Sequence, residues 1–245
     1  MRILAFVAKT TGLACLKWLL AHHPEDEYTI FVGDPDKALI ADFLNKNGVK
    51  WHDLATCDPA AITAGQEYDW LINIWSAYIF REDLLGRVTR SVNMHPSYLP
   101  YGRGRDPIVW AIRDQVPAGA TLHQITAGVD EGPIWAQVEI PFTLPVRGED
   151  LYNRVEPAAI ELFCSSWTDL RLTTEEPRPQ GQPELPTRKR KDLLADRLVT
   201  LQDDAETALS KILAHDFSAN GYTALLENGD EPLPVSLALT QSVIN

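Results

Sequence analysis

Apolar and polar positions along the chain follow two periods, and the periods alternate. Residues 2–7 (RILAFV) form a short apolar run that predicts a first strand. The following stretch LACLKWLLAHH sets Leu13, Leu16, Leu19 and Leu20 at helical spacing. A second strand is predicted over 28–34, and a helix from Pro35 to the stop at Gly48. The runs 68–75 (YDWLINIW) and 91–95 (SVNMH) read as buried strands, and 120–126 and 134–142 as two more, joined by the loop AGVDEGP. The stretch 149–172 has helical periodicity, but Pro157 predicts a kink or a division.

Strands that alternate with helices imply right-handed crossovers and a mainly parallel sheet. The expected fold is α/β, Rossmann-like, with helices on both faces and a small C-terminal α+β appendage. Residues 1–172 form the expected catalytic domain. The segment 173–191 holds four prolines and no apolar period, so it reads as a surface linker. Residues 192–245 form the appendage, with one helix over 204–215 and two short strands.

Composition narrows the possible partners. The 245 residues carry a formal net charge of −12, which repels a phosphate backbone and argues against nucleic acid. No stretch approaches the ~18 apolar residues of a membrane span, and the N-terminal run is too short for a signal peptide. A cytoplasmic protein with no membrane partner is the expectation. Cys15, Cys57 and Cys164 have no metal-ligand spacing and are odd in number, so neither a disulfide framework nor a metal site is expected.

Chemistry concentrates in two stretches. In 91–110, Asn93 and His95 stand two apart on a strand, so they share a face, and Pro96 ends the strand at once. In open α/β sheets the strand ends carry the sites. In 119–137, His123 lies on a strand and Asp130 in a glycine-flanked loop. A polar strand end and a turn-forming aspartate would account for the same residues without any chemistry.

Taken together, the two stretches resemble the folate-dependent formyltransferase family, closest to the sugar N-formyltransferases. The resemblance rests on Asn93-Met94-His95-Pro96-Ser97-Tyr98-Leu99-Pro100, on Gly119-Ala120-Thr121-Leu122-His123 and on Val129-Asp130-Glu131-Gly132-Pro133-Ile134, followed by Gln137. It covers about residues 1–170. Trp75-Ser76 depart from it, because many members carry small residues there. The resemblance implies that Asn93, His95 and Asp130 are catalytic. It implies 10-formyltetrahydrofolate as co-substrate, held by Ala77, Tyr78, Ile79, Phe80, Thr126 and Ala127. The acceptor would meet Lys9, Thr10, Thr11 and Gly12, a turn suited to anions, together with Arg103 and Arg105. The run Arg188–Lys191 reads as a solvated face.

These residue types suit formyl transfer. An amide donor can stabilise charge growing on the formyl oxygen. An imidazole can take the proton of the attacking amine, and a carboxylate can orient that imidazole. The implied acceptor is the amine of a nucleotide-linked amino sugar. Other small amines, plain hydrolysis of the folate, and a binding module without catalysis stay open, as does a homodimer with its contact on the small C-terminal segment.

Overall fold

Strand β1 (Arg2–Val7) sends Ile3, Ala5 and Val7 into one buried apolar cluster and Leu4 and Phe6 into another. Alternation puts neighbours on opposite faces, so a strand apolar from Ile3 to Val7 needs cover on both. The computed structural model describes residues 1–182, 185–229 and 231–238. After β1 come α1 (Lys9–His22), β2 (Glu27–Val32), α2 (Lys37–Lys46), β3 (His52–Asp53), α3 (Pro59–Ile62), β4 (Tyr68–Ile74) and α4 (Glu82–Leu85). Then follow β5 (Val88–His95), α5 (Pro107–Arg113), β6 (Gly119–His123), β7 (Ile134–Glu139) and α6 (Gly148–Leu170). The seven strands form one sheet in the order β3-β2-β1-β4-β5-β6-β7. β1 to β5 pair in parallel, and β6 is antiparallel to both of its neighbours. This is the mainly parallel α/β sheet that the pattern predicts.

One face is covered by α1, α2 and α6, which bury Leu13, Leu16, Leu19, Ile40, Leu44, Phe163 and Trp167. Trp70 of β4 and Trp167 of α6 meet edge to face at 5.3 Å. Pro157 does not divide α6, contrary to expectation: 23 residues run as one helix. Leu151 and Val155 before it, and Ala159, Phe163 and Trp167 after it, are all buried. That continuous apolar stripe outweighs the one hydrogen bond a proline removes. On the opposite face, Phe6 stacks on Phe31 and Tyr78 at 4.9 Å each and meets Phe80 edge on at 4.8 Å.

The C-terminal part holds α7 (Arg190–Asp196), β8 (Leu198–Val199), α8 (Ala205–Ala214), β9 (Ala224–Leu226) and β10 (Leu233–Val235), one helix and one strand more than the sequence suggested. Its three strands form a separate sheet, and residues 239–245 of the predicted appendage lie outside the described residues. A third apolar cluster joins Ile108, Trp110 and Ile112 of α5 to Leu151, Val155, Leu193 and Ala214. Among the described residues no helix is long and apolar enough to cross a membrane.

The proline-rich segment before α7 runs along the surface, but it is docked. Arg178 exchanges main-chain hydrogen bonds with Ile134 at 2.7 and 3.0 Å. Arg188 lies against Gly104, where a Cβ would sit 2.2 Å from the Arg188 carbonyl oxygen and φ is +91°, so glycine is required. The solvated-face reading fails for Arg188: it pairs with Asp114 at 2.6 Å and its guanidinium lies 4.0 Å from the Trp110 ring centre. Lys189, Arg190 and Lys191 are exposed.

Candidate active site

On β5, Val92 and Met94 point into the helix-covered core, while Asn93 and His95 point to the other face. Three side chains stand abreast across three adjacent strands: Asn73 of β4 is the register partner of Asn93, and Asn93 is the partner of His123 on β6. Asn73 Nδ2 donates to Asn93 Oδ1 at 2.8 Å and to the Ser76 carbonyl at 3.2 Å. Asn93 Nδ2 lies 2.9 Å from His123 Nε2 and 3.4 Å from Asp130 Oδ1. His123 Nδ1 lies 2.8 Å from the Gln124 carbonyl.

The loop between β6 and β7 folds back over this row and delivers Asp130. Its Oδ2 accepts from the Gly104 N–H at 2.9 Å and lies 3.7 Å from His95 Nδ1. His95 Nε2 lies 2.9 Å from the Gly102 carbonyl. Both ring nitrogens therefore face acceptors, and a ring that donates at both satisfies both. His95 and Asp130 are largely buried, with side chains 8% and 14% exposed. Burial pushes the Asp130 carboxyl up, but the charge of His95 and the Gly104 N–H outweigh it, and the carboxyl is held well below the usual carboxylate range. Where His123 Nε2 accepts from the Asn93 amide, it has no proton to give Asp130.

The strap 178–182 closes the site on one side. Gln180 Nε2 donates to the carbonyls of Asp130 at 2.9 Å and Gly132 at 2.6 Å, and its Oε1 accepts from Arg103 at 2.6 and 3.1 Å. One side chain thus ties together the 100–106 and 126–133 loops. Beside it opens a cavity of about 460 Å³ lined by Arg103, Thr126, Glu131 and Pro179–Gln182.

The predicted cofactor residues divide. Tyr78 and Phe80 pack on Phe6 and are half-buried, whereas Ala77 and Ile79, the latter 75% exposed, leave an open edge. Thr126 lines the cavity, and Ala127 is exposed. The predicted acceptor residues also divide. Lys9, Thr10, Thr11 and Gly12 are the first turn of α1 rather than a free turn. The hydroxyls of Thr10 and Thr11 both donate to Glu156 of α6, so a protein carboxylate already faces that turn. The Lys9 ammonium sits 5.8 Å from the Trp75 ring and 5.6 Å from the Tyr152 ring. Burial pulls it below its usual pKa, against the opposing charges of Asp106 and Glu156, and the charge of Arg105 adds to the lowering. Arg105 thus belongs with Lys9, whereas Arg103 is turned toward Gln180. Lys9, Trp75, Asp106 and Asp130 all have positive φ, between 53° and 61°. In a residue as bulky as Trp75 that is strain, of the kind that gathers at functional sites.

Sequence reasoning missed Asn73 and Gln180 altogether, and it left His123 as part of a motif without a role. The lone amide in the apolar strand DWLINIW was the available signal for Asn73.

The family described as formyl transferase matches residues 49–166. Over those residues, just under half of the chain, it is similar to the formyl transferase family. The match takes in Asn73, Asn93, His95, His123, Asp130 and Glu156. The dTDP-4-amino-4,6-dideoxyglucose formyltransferase of Mycobacterium tuberculosis H37Rv is 31% identical over 134 residues, 53% of this chain. The matched region spans 57% of that relative's length. A 4-N formyltransferase from Francisella tularensis shares the fold, with a TM-score of 0.82 over 98% of each chain at 22% identity. The formyltransferase PseJ from Anoxybacillus kamchatkensis superposes with a TM-score of 0.61 at 25% identity, covering 87% of this chain and 98% of its own. PseJ was crystallised in complex with UDP-4,6-dideoxy-4-formamido-L-AltNAc and tetrahydrofolate. The small C-terminal sheet of this chain lies within the span aligned to the Francisella enzyme.

Proposed function

We propose that this chain is an N-formyltransferase that moves the formyl group of 10-formyltetrahydrofolate to the amine of a nucleotide-linked amino sugar. The observation that carries the reading is the orientation of Asn93: its amino group gives one N–H along the row to His123 and turns the other toward Asp130, beside His95. An N–H held there is a ready donor to a formyl oxygen that gains charge as the amine attacks the formyl carbon. His95, held between the Gly102 carbonyl and Asp130 and donating to both, gives a proton to the folate nitrogen as the old C–N bond breaks, and the ring so freed takes the proton that the amine loses. The folate would bind along the open edge at Ala77 and Ile79 and against Thr126 and Ala127. The acceptor would enter past Lys9 and Arg105.

The sugar-nucleotide acceptor is supported by the mycobacterial relative's dTDP-amino sugar and by the sugar nucleotide and tetrahydrofolate bound in PseJ. The test is a panel of dTDP- and UDP-linked amino sugars incubated with 10-formyltetrahydrofolate and read by mass spectrometry. One nucleotide sugar gaining a formyl mass, with free amino acids and methionyl-tRNA unchanged, is expected. Formylation of methionyl-tRNA alone would overturn the choice of acceptor.

A further inference from the structure

We propose that Asn73 is a positioning residue that fixes which way round the Asn93 amide stands, and so gives the site its hydrogen-bond donor. The proposal rests on the formyl-transfer reading above for its effect on rate, though not for its geometry.

The Asn73–Asn93–His123 row is closed at each end by a backbone carbonyl. At one end the Ser76 carbonyl can only accept, so the nearer group of the Asn73 amide must be its NH2. That same NH2 faces Asn93 at 2.8 Å, so Asn93 must present its oxygen there and its NH2 on the far side. At the other end the Gln124 carbonyl can only accept, which puts the His123 proton on Nδ1 and leaves Nε2 to accept from Asn93. The two ends agree on one direction. Rotating the Asn93 amide by half a turn would set its oxygen against the Asp130 carboxylate and its NH2 against the Asn73 NH2.

Asn73 is costly where it stands. It is 6% exposed, and its own Oδ1 has no hydrogen-bond partner. A buried amide oxygen left unpaired destabilises, and an apolar residue of the same volume would not carry that penalty. Its neighbours Leu71, Ile72 and Ile74 are fully buried and apolar. A polar residue kept there against packing points to a role in the site rather than in the fold.

Two variants test the assignment. Asn73→Leu removes the donor to Asn93, and Asn73→Asp replaces it with a group that only accepts. For Asn73→Leu the expected result is a protein that still folds, with kcat lowered about 10²-fold, as for loss of one oxyanion donor. KM for both substrates should stay within about twofold, since the lost interaction acts in the transition state. For Asn73→Asp the Asn93 amide should turn over. 15N NMR of the His123 ring should then report a proton at Nε2, in place of the Nδ1–H tautomer of the wild type. An unchanged His123 tautomer in Asn73→Asp overturns the proposal, as does a kcat for Asn73→Leu within about threefold of wild type. The tautomer needs no turnover to be read. A wild-type protein that transfers no formyl group therefore refutes the proposed reaction, and the row itself is judged on the ring signal.

Discussion

The two faces of strand β5 are built from alternate residues of one short stretch, yet they obey different rules. Val92 and Met94 lie among Leu16, Ile72 and Phe163, with no polar partner to satisfy. Asn93 and His95, one residue away on each side, face a carboxylate, a carbonyl, a second amide and a second imidazole. On the first face any apolar side chain of suitable volume would serve. On the second, each group is held by a donor or acceptor of fixed sense, and exchanging one reverses its neighbours. At β5 the apolar packing lies on the first face, and the proposed chemistry on the second.

Substitutions on each face should therefore separate turnover from stability. The largest effect is expected for His95→Asn, which should keep the fold and lower kcat by about 10²–10⁴-fold while folate binding changes little. Steady-state kinetics with a folate titration would check this, and a variant retaining more than about a tenth of wild-type kcat would remove His95 from its role.

Its neighbour Met94 should do the reverse. Met94→Ala is expected to cost about 2–5 kcal/mol in urea unfolding, with the kcat of the protein that remains folded close to wild type. A specific loss of kcat there would erase the distinction between the faces.

Asp130→Asn lies between these two. The folded-state pKa of Asp130 is depressed, so its contribution to stability is present above the ordinary carboxylate value of about 3.9 and is lost as pH falls through the lower folded value. The wild type should exceed Asp130→Asn by about 1–3 kcal/mol near neutral pH, the scale of a charged hydrogen-bonded group. That gap should close as pH drops below about 4. Urea melts of both proteins at neutral and acid pH would check it, and a gap that widens in acid would contradict the pairing of Asp130 with His95.

The smallest effect is expected at the strap. Gln180→Glu keeps the acceptor for Arg103 but loses the donors to the Asp130 and Gly132 carbonyls. A loss of about 0.5–1.5 kcal/mol in transition-state stabilisation is expected, read as a fall in kcat/KM. Gln180→Ala should fall further because it also releases Arg103.

Much of this was legible in the sequence for a physical reason. Alternation in SVNMH puts Asn93 and His95 on one face whatever surrounds them, and the apolar runs fix the order of strands. Asp130 was legible only through the motif, because an aspartate between glycines has the same local signature when it merely forms a turn. The strap was not legible. A proline-rich segment has no period, and its docking depends on Gly104 leaving room for Arg188 and on Gln180 meeting two distant loops. Arg188 was misread for the same cause, since a charge run gives no sign that Trp110 and Asp114 lie beneath one of its members. The division expected at Pro157 did not occur because a local rule was weighed without the stripe of buried residues on each side of it.

The most direct test follows both products of the folate in one reaction. Purified protein with 10-formyltetrahydrofolate alone, and with a dTDP-linked amino sugar added, would be assayed for tetrahydrofolate by absorbance and for formate and formamido sugar by mass spectrometry. The predicted result is tetrahydrofolate formed only when the amine is present, with one formamido sugar per folate consumed and no formate. Formate released at the same rate with and without the amine would contradict formyl transfer to an amine and make the protein a hydrolase.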